Sequence, residues 1–350
     1  MTPGQHGAYS PPLVSADRMT AVLHDRYGPD PEDVLRVGEV ERPDIDADEV
    51  LVRVRAASID RGTWHVMAGL PYPVRAAGFG LRRPKDTNPG RSLAGVVTAA
   101  GADVAGFAPG DEVFGVGRSS FAEYSRARAD KLAPKPANLS FEQAAAVPIS
   151  GLTALQAVRD QGRVTAGQRV LVIGASGGVG TFAVQFALHA GAEVTGVCSG
   201  SKVDLVRALG AHHVIDHTRE DVTAGGRRYD VVLDIGGNRP LGRLRRVLTA
   251  RGRLVLVGGE TGGRWLGGTD RLLRARLLSP FVGQTLATFL SSENARDLQA
   301  LRELFESTGL TPVIDRTLPL DQVAAGMRHL LDGHARGKVV LTIPDGPSAS

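Results

Sequence analysis

Cysteine occurs once in this chain of 350 residues, tryptophan twice, and aromatic residues make up only 5%. The single thiol, Cys198, excludes an intramolecular disulfide and suits a reducing, cytoplasmic setting. It also argues against zinc, since a structural site usually takes four ligands, often cysteines, and a catalytic site about three. His65 is the only histidine in a stretch suited to a pocket, so no metal is expected. Long apolar runs are missing as well; none approaches the ~18 residues of a membrane span. Residues 1–18 are rich in Pro, Gly and Ser and lack the core of a signal peptide, so they read as a disordered extension. Charge of one sign is not concentrated anywhere. The net charge is +4, the arginines are scattered, and no basic helix is interleaved with aromatics, which argues against a nucleic-acid partner.

What is present is ordinary for a globular protein: 42% hydrophobic residues, 22% charged, and 44 glycines that point to a turn-rich α/β chain. The length allows about two domains. From Met19 to about Lys135 the pattern is β-rich. Glu49 to Arg55 alternates, Gly95 to Ala99 is a small-residue strand, and Asp111 to Phe114 follows a Pro-Gly turn. Residues 58–90, with Trp64, His65, Tyr72 and several prolines, read as an irregular segment of the kind that shapes a pocket. Helical patterns occupy 138–159, with a cap near Ser140. Short strands near 170, 193, 214, 230 and 253 then alternate with helical or loop material. A helix over 295–307, a strand over 313–318, a helix over 320–331 and a strand over 338–343 complete the chain. The last strands are expected to rejoin the first unit. The division is then a discontinuous β-rich domain (19–140 and 310–343), a nucleotide domain (141–309) and a tail (344–350).

The most informative stretch is Val170 to Gly180. Val170 to Ile173 is an unbroken apolar run, as expected of a parallel strand buried on both faces. Small residues follow, then Val179, Phe182, Ala183, Phe186 and Ala187 fall on one helical face. Strand, glycine-rich turn and helix open a dinucleotide-binding βαβ unit. A pyrophosphate must come close to backbone N–H groups at a helix N-terminus, where the dipole favours anions, and bulky side chains would prevent it. The fingerprint is Ala175-x-Gly177-x-x-Gly180, with alanine in the first glycine's place. Ser176, Gly177, Gly178, Val179 and Gly180 are the expected pyrophosphate contacts.

About 20 residues on, the second strand should end at the adenosine ribose, where an NAD enzyme usually places Asp or Glu. This chain has Cys198-Ser199-Gly200-Ser201-Lys202. A carboxylate would repel a 2′-phosphate, whereas hydroxyls and an ammonium would hold one, so the cofactor is expected to be NADP(H), held by Ser199, Ser201 and Lys202. The alternative is that Ser201 only caps the next helix and Lys202 is merely solvated.

With these residues in hand, the chain resembles the medium-chain dehydrogenase/reductase superfamily, in its zinc-independent quinone oxidoreductase-like branch. The resemblance runs from about Met19 to Ile343. It is carried by Tyr27-Gly28, Glu49-Val50-Leu51-Val52, Ala56-Ala57-Ser58, Pro109-Gly110-Asp111-Glu112-Val113, the Ala144 to Thr153 stretch, the glycine-rich loop, Leu209-Gly210-Ala211 and Gly337-Lys338-Val339-Val340. It implies an α/β protein in which a Rossmann doubly wound parallel sheet stands beside a GroES-like β-rich domain. Substrate and nicotinamide would share the cleft between them, and the chain would be a homodimer, with Gly283 to Leu290 as an apolar edge strand inviting a second copy. His217, where relatives often carry tyrosine, is expected across the adenosine, and Thr153, Gly236, Gly258 and Lys338 are counted with the cofactor site. Two departures stand out. Asp60 replaces a common Asn, and Ser92 replaces a common Asp in the Gly90-Arg91-Ser92-Leu93-Ala94-Gly95 run, so an acid is added beside the expected nicotinamide pocket at one position and removed at the other.

The reading that follows is an NADPH-dependent reductase of a quinone, enone or related activated carbonyl. Asp60 and Trp64 are expected as pocket residues and Tyr72 as proton donor, since a phenol ordinarily titrates near ~10 and keeps its proton at neutral pH. Tyr72 could equally pack against the loop prolines. A tailoring enzyme of secondary metabolism, or a noncatalytic NADPH-binding protein, would share the same sequence features.

Overall fold

The computed structural model describes residues 18–237, 239–258 and 263–344. The extension expected over 1–18, apart from Arg18, and the tail beyond Pro344 lie outside the described residues; Arg18 itself opens a strand, Arg18–Leu23.

Apolar runs with both faces covered must sit inside a layered sheet. Four inner strands and two edge strands form one parallel sheet in the order His213–Asp216, Glu193–Cys198, Arg169–Ile173, Tyr229–Asp234, Leu248–Leu256, Thr285–Thr288. The first strand in sequence, Arg169–Ile173, therefore lies mid-sheet, between the second and the fourth. Strand order reverses there, and in open α/β sheets ligands bind at that point, outside the carboxyl ends of the strands. The helix Gly178–His189 packs on one face through Phe182 and Phe186, which meet Phe305 of the helix Ala295–Thr308 at ring-centroid distances of 6.2 and 6.3 Å.

The second sheet is built on Glu49–Ile59, which pairs antiparallel with Ser92–Ala100, Tyr124–Arg128 and Lys338–Thr342. The clean alternation expected over Glu49 to Arg55 is not kept, and Glu49 to Val52 are all buried. Two register shifts against Ser92–Ala100, at Leu51/Val52 and Val54/Ala56, reset the side-chain phase, as bulges do. Strand Ile314–Pro319 adds to the same sheet beside Lys338–Thr342. Between Ile314–Pro319 and Lys338–Thr342 runs the helix Val323–Leu331.

Residues 58–90 are not wholly irregular. Arg61–Ala68 is a helix, entered from the extended Asp60 and ended by Gly69 at φ 61°, a conformation glycine adopts without penalty. It buries Thr63, Met67 and Ala68 on one side. Gly62, the β-branched Thr63 and Val66, and a length of two turns mask it in the sequence, since each propensity is unfavourable and only packing offsets them. At Ser140 the chain forms a full capping box with Gln143, starting the helix Phe141–Ala146.

Candidate active site

The glycine-rich loop follows from backbone geometry. Gly174 turns the chain at φ 87°, and a Cβ at Gly180 would overlap the carbonyl oxygen of Gly174. Only glycine at 180 lets the loop close against its own strand. At Gly177 the nearest atom to a Cβ would be that same carbonyl oxygen at 3.6 Å, so one side of the loop is open. The first helical bond runs from Thr181 N to Gly177 O (3.0 Å), leaving the N–H groups of Gly178, Val179 and Gly180 without a helical acceptor. Free N–H groups, open space and the helix dipole make an anion cradle.

Beside it lies a cavity of about 780 Å³ at the carboxyl ends of the strands. Ser176, Ser199, Lys202, His217 and Gly236, all expected at the cofactor, line it together. Ser201 contributes its carbonyl to Arg336 instead. Gly258 is close-packed, a Cβ there overlapping the carbonyl oxygen of Ile235, so its role is to let adjacent strand ends approach. The dinucleotide's pyrophosphate and adenosine fit this loop and cavity by chemistry: free N–H donors, small residues and cations.

A strap from the other domain crosses both cofactor loops. Lys202 Nζ donates to Gly333 O (2.6 Å) and Ala335 O (2.8 Å), and Arg336 reaches Ser201 O and the Asp204 carboxylate, both at 2.7 Å. Gly337 N then donates to Ser176 O at 2.9 Å, and Gly337 bridges Gly177. Lys338 follows, 2% exposed, and its ammonium pairs with Asp60, itself 5% exposed. Ser150 Oγ donates to Asp60 Oδ1 (3.0 Å) and Ser92 Oγ to Asp60 Oδ2 (2.9 Å). The Lys338 stem lies 3.0 Å from where a Cβ of Gly178 would be, so this buried network supports the underside of the glycine loop.

Several expected placements need correction. Asp60 is not a free acid facing a pocket: both of its oxygens are taken by Lys338, Ser150 and Ser92, because a buried carboxylate must be paired. Lys338 is spent in the same network. Ser92, which seemed to remove an acid, is the hydroxyl that satisfies Asp60. Trp64 donates through Nε1 to Pro29 O (3.0 Å) and packs on the β-domain core, a structural position. Thr153 Oγ1 bonds Ile149 O (2.7 Å) and Ser291 Oγ (3.0 Å). Tyr72 packs against the nucleotide domain. Its ring meets that of Trp265, from the nucleotide-domain helix Gly263–Leu266, edge-on at 5.0 Å, and its N–H donates to Arg264 O (2.9 Å).

Sequence reading missed Ser150, Arg336 and Asp234. Asp234 ends the strand Tyr229–Asp234 fully buried and ion-paired with Arg271; burial raises its carboxyl above the ordinary value, and the Arg271 charge opposes this. The signal was an acid directly after the apolar run Val231 to Leu233. Among the described residues no group of three or more His, Cys, Asp or Glu side chains could hold a metal ion, so the donor set does not fit a zinc site. No helix among them is long and apolar enough to cross a membrane.

Comparison with known proteins gives the same architecture. Residues 46–137 match the alcohol dehydrogenase GroES-like domain, and residues 209–341 match a family model described as zinc-binding dehydrogenase. Mitochondrial NAD(P)H oxidoreductase RTN4IP1 of Bos taurus is 32% identical over 84% of this chain and 82% of its own. The spectinabilin polyketide synthase system protein NorB of Streptomyces orinoci is 36% identical over 85% of this chain, which spans only 13% of that much longer protein. The quinone oxidoreductase structure from Coxiella burnetii superposes with a TM-score of 0.79 at 29% identity, over 93% of this chain and all of the other. With two domain matches, relatives above 30% identity and a shared two-domain fold, the chain belongs to the medium-chain dehydrogenase/reductase superfamily, in its quinone oxidoreductase-like branch, and is a nicotinamide-dependent oxidoreductase.

Proposed function

We propose that the chain is an NADPH-dependent, zinc-independent reductase of quinones, enones or related activated carbonyls. The observation that carries the reading is the cavity at the strand ends, where the Ser199 hydroxyl, the Lys202 ammonium and the His217 ring stand where an NAD enzyme would present a carboxylate. The names of the Coxiella and Bos relatives support the reductase class. When bound, the dinucleotide supplies the hydride. The chain's part is to hold it: the free N–H groups of residues 178–180 take the pyrophosphate, and the Asp60–Lys338 network keeps that loop in place. Tyr72, beside Trp265, is the candidate to donate a proton to the reduced substrate. A quinone needs this less than an enone, because water can protonate a hydroquinone anion. Continuous NADPH oxidation with quinones and enones tests the reading. Tyr72→Phe should slow enone reduction about 10²-fold or more while sparing quinones; no turnover with any member of the panel would sink it. The match to a segment of NorB favours a second reading, an enoyl thioester of secondary metabolism as the enone; crotonyl thioesters belong in the same panel.

Two further expectations attach to this reading. Purified protein should carry far less than one zinc per chain, with activity indifferent to chelators, since the described residues assemble no donor set; elemental analysis showing stoichiometric zinc would overturn that. The chain should also be a homodimer. Thr285–Thr288 is a sheet edge, and Leu273, Leu277 and Phe281 near it are 60%, 63% and 85% exposed. An edge flanked by apolar side chains pairs with a copy of itself. Light scattering should report a dimer at micromolar concentration, and Leu277→Glu with Phe281→Glu should give monomers.

A further inference from the structure

Lys202, the residue that the sequence offers for a 2′-phosphate, is already occupied. Its ammonium has three donors, and two are held by Gly333 O and Ala335 O at 2.6 and 2.8 Å. Releasing it would break both of its bonds to the strap. Burial also pulls the Lys202 amine below the ordinary lysine value, so its surroundings disfavour its charge more than they reward it.

The same cavity presents three arginines, Arg219, Arg239 and Arg243. Arg243 is turned to Asp221, at 3.5 Å. The guanidiniums of Arg219 and Arg239 donate no hydrogen bond and close no ion pair among the described residues; their charges act only at longer range, that of Arg219 on Asp216 and that of Arg239 on Asp221 and Asp234. The acids nearby are already served: Asp216 accepts from Thr218 N and Oγ1, and Asp221 from Thr223 N and Oγ1. Glu220 also lines the cavity with Asp221, so the four cations Lys202, Arg219, Arg239 and Arg243 outnumber the two acids of its lining. Guanidinium is always charged, and its fork matches a phosphate bidentately, which a lysine cannot do.

Resting on the NADP(H) reading above, we propose that Arg219 and Arg239 recognise the 2′-phosphate, while Lys202 is a positioning residue that clasps the strap over the ribose loop. The two roles separate by ligand. Arg219 and Arg239 should matter only when the phosphate is present; Lys202 should matter equally with and without it.

The test is binding, by fluorescence titration of NADPH and NADH and by calorimetry of 2′,5′-ADP and 5′-AMP. Arg219→Ala and Arg239→Ala should each weaken NADPH and 2′,5′-ADP by about 10- to 100-fold, the scale of a charged hydrogen bond. NADH and 5′-AMP should stay within about twofold, since they make no such contact. Lys202→Met, which keeps the apolar stem, should weaken all four ligands alike. A phosphate-selective loss in Lys202→Met, or unchanged NADPH binding in both arginine variants, overturns the assignment while leaving the NADP(H) reading intact. Wild-type protein that binds 2′,5′-ADP no tighter than 5′-AMP overturns that reading itself and the assignment with it.

Discussion

Asp60→Ala should be among the most destabilising single substitutions in the chain, lowering the unfolding free energy by about 3–5 kcal/mol. The reason is not the loss of an attraction but what remains. Lys338 is 2% exposed, and without Asp60 its ammonium would stay buried with only Ile59 O (3.3 Å) and Ser150 Oγ (3.2 Å) as partners. Urea melts with an unchanged m-value would report the loss as a shift of midpoint. The exchange at positions 60 and 92 gives a second arm. Ser92 Oγ lies 2.9 Å from Asp60 Oδ2, so a carboxylate on Ser92–Ala100 could serve the same ammonium. Asp60→Asn alone should destabilise, and Asp60→Asn with Ser92→Asp, the arrangement common among relatives, should recover much of the loss. If the double variant were as unstable as the sum of its parts, the network would not be an exchanged carboxylate but two unrelated changes.

Gly177→Val and Gly180→Val should both abolish dinucleotide binding, by different routes. At Gly180 a side chain meets the backbone of Gly174, which cannot yield, so the loop itself must distort and the melting temperature should fall with affinity. At Gly177 the φ of −86° is open to any residue and the nearest atom is 3.6 Å away, so the fold should survive. The valine would instead fill the space over the free N–H groups. Affinity should drop at least 100-fold, or about 2.7 kcal/mol, with little change in melting. Tight NADPH binding by a well-folded Gly177→Val would remove the pyrophosphate from this loop.

What could be read in the sequence follows from how local each signal was. Strand, glycine turn and helix lie within the twenty-one residues Arg169–His189, and their chemistry is stated by residue type, so the cradle was legible. The Asp60 network was not. Its members stand at 60, 92, 150 and 338, and only the folded sheets bring them together. Sequence could show that an acid had moved from one position to the other, but not that the Ser92 hydroxyl left behind bonds the acid at 60. Lys202 was legible only in part for the same reason: its place at the cavity could be read, but the carbonyls that hold it come from Gly333 and Ala335. Trp64 and Tyr72 illustrate a different limit. Both sit in one aromatic segment, yet one points to Pro29 and the other to Trp265, a distinction set by the helix Arg61–Ala68 that no strong propensity announces.

The run from Gly333 to Lys338 has a consequence for anyone who would cut the protein apart. A fragment ending at Thr308 would keep all six strands of the parallel sheet and the whole glycine fingerprint, and by inspection would look like a portable cofactor module. It would nonetheless lack the Gly337 N–H that donates to Ser176 O, the carbonyls that hold Lys202, and the lysine stem beneath Gly178. The cofactor-binding half thus takes part of its support from the far end of the chain. A transplantable version would have to import the last strand, joined through a linker or by circular permutation, so that the far end of the chain is delivered back to the loop it completes.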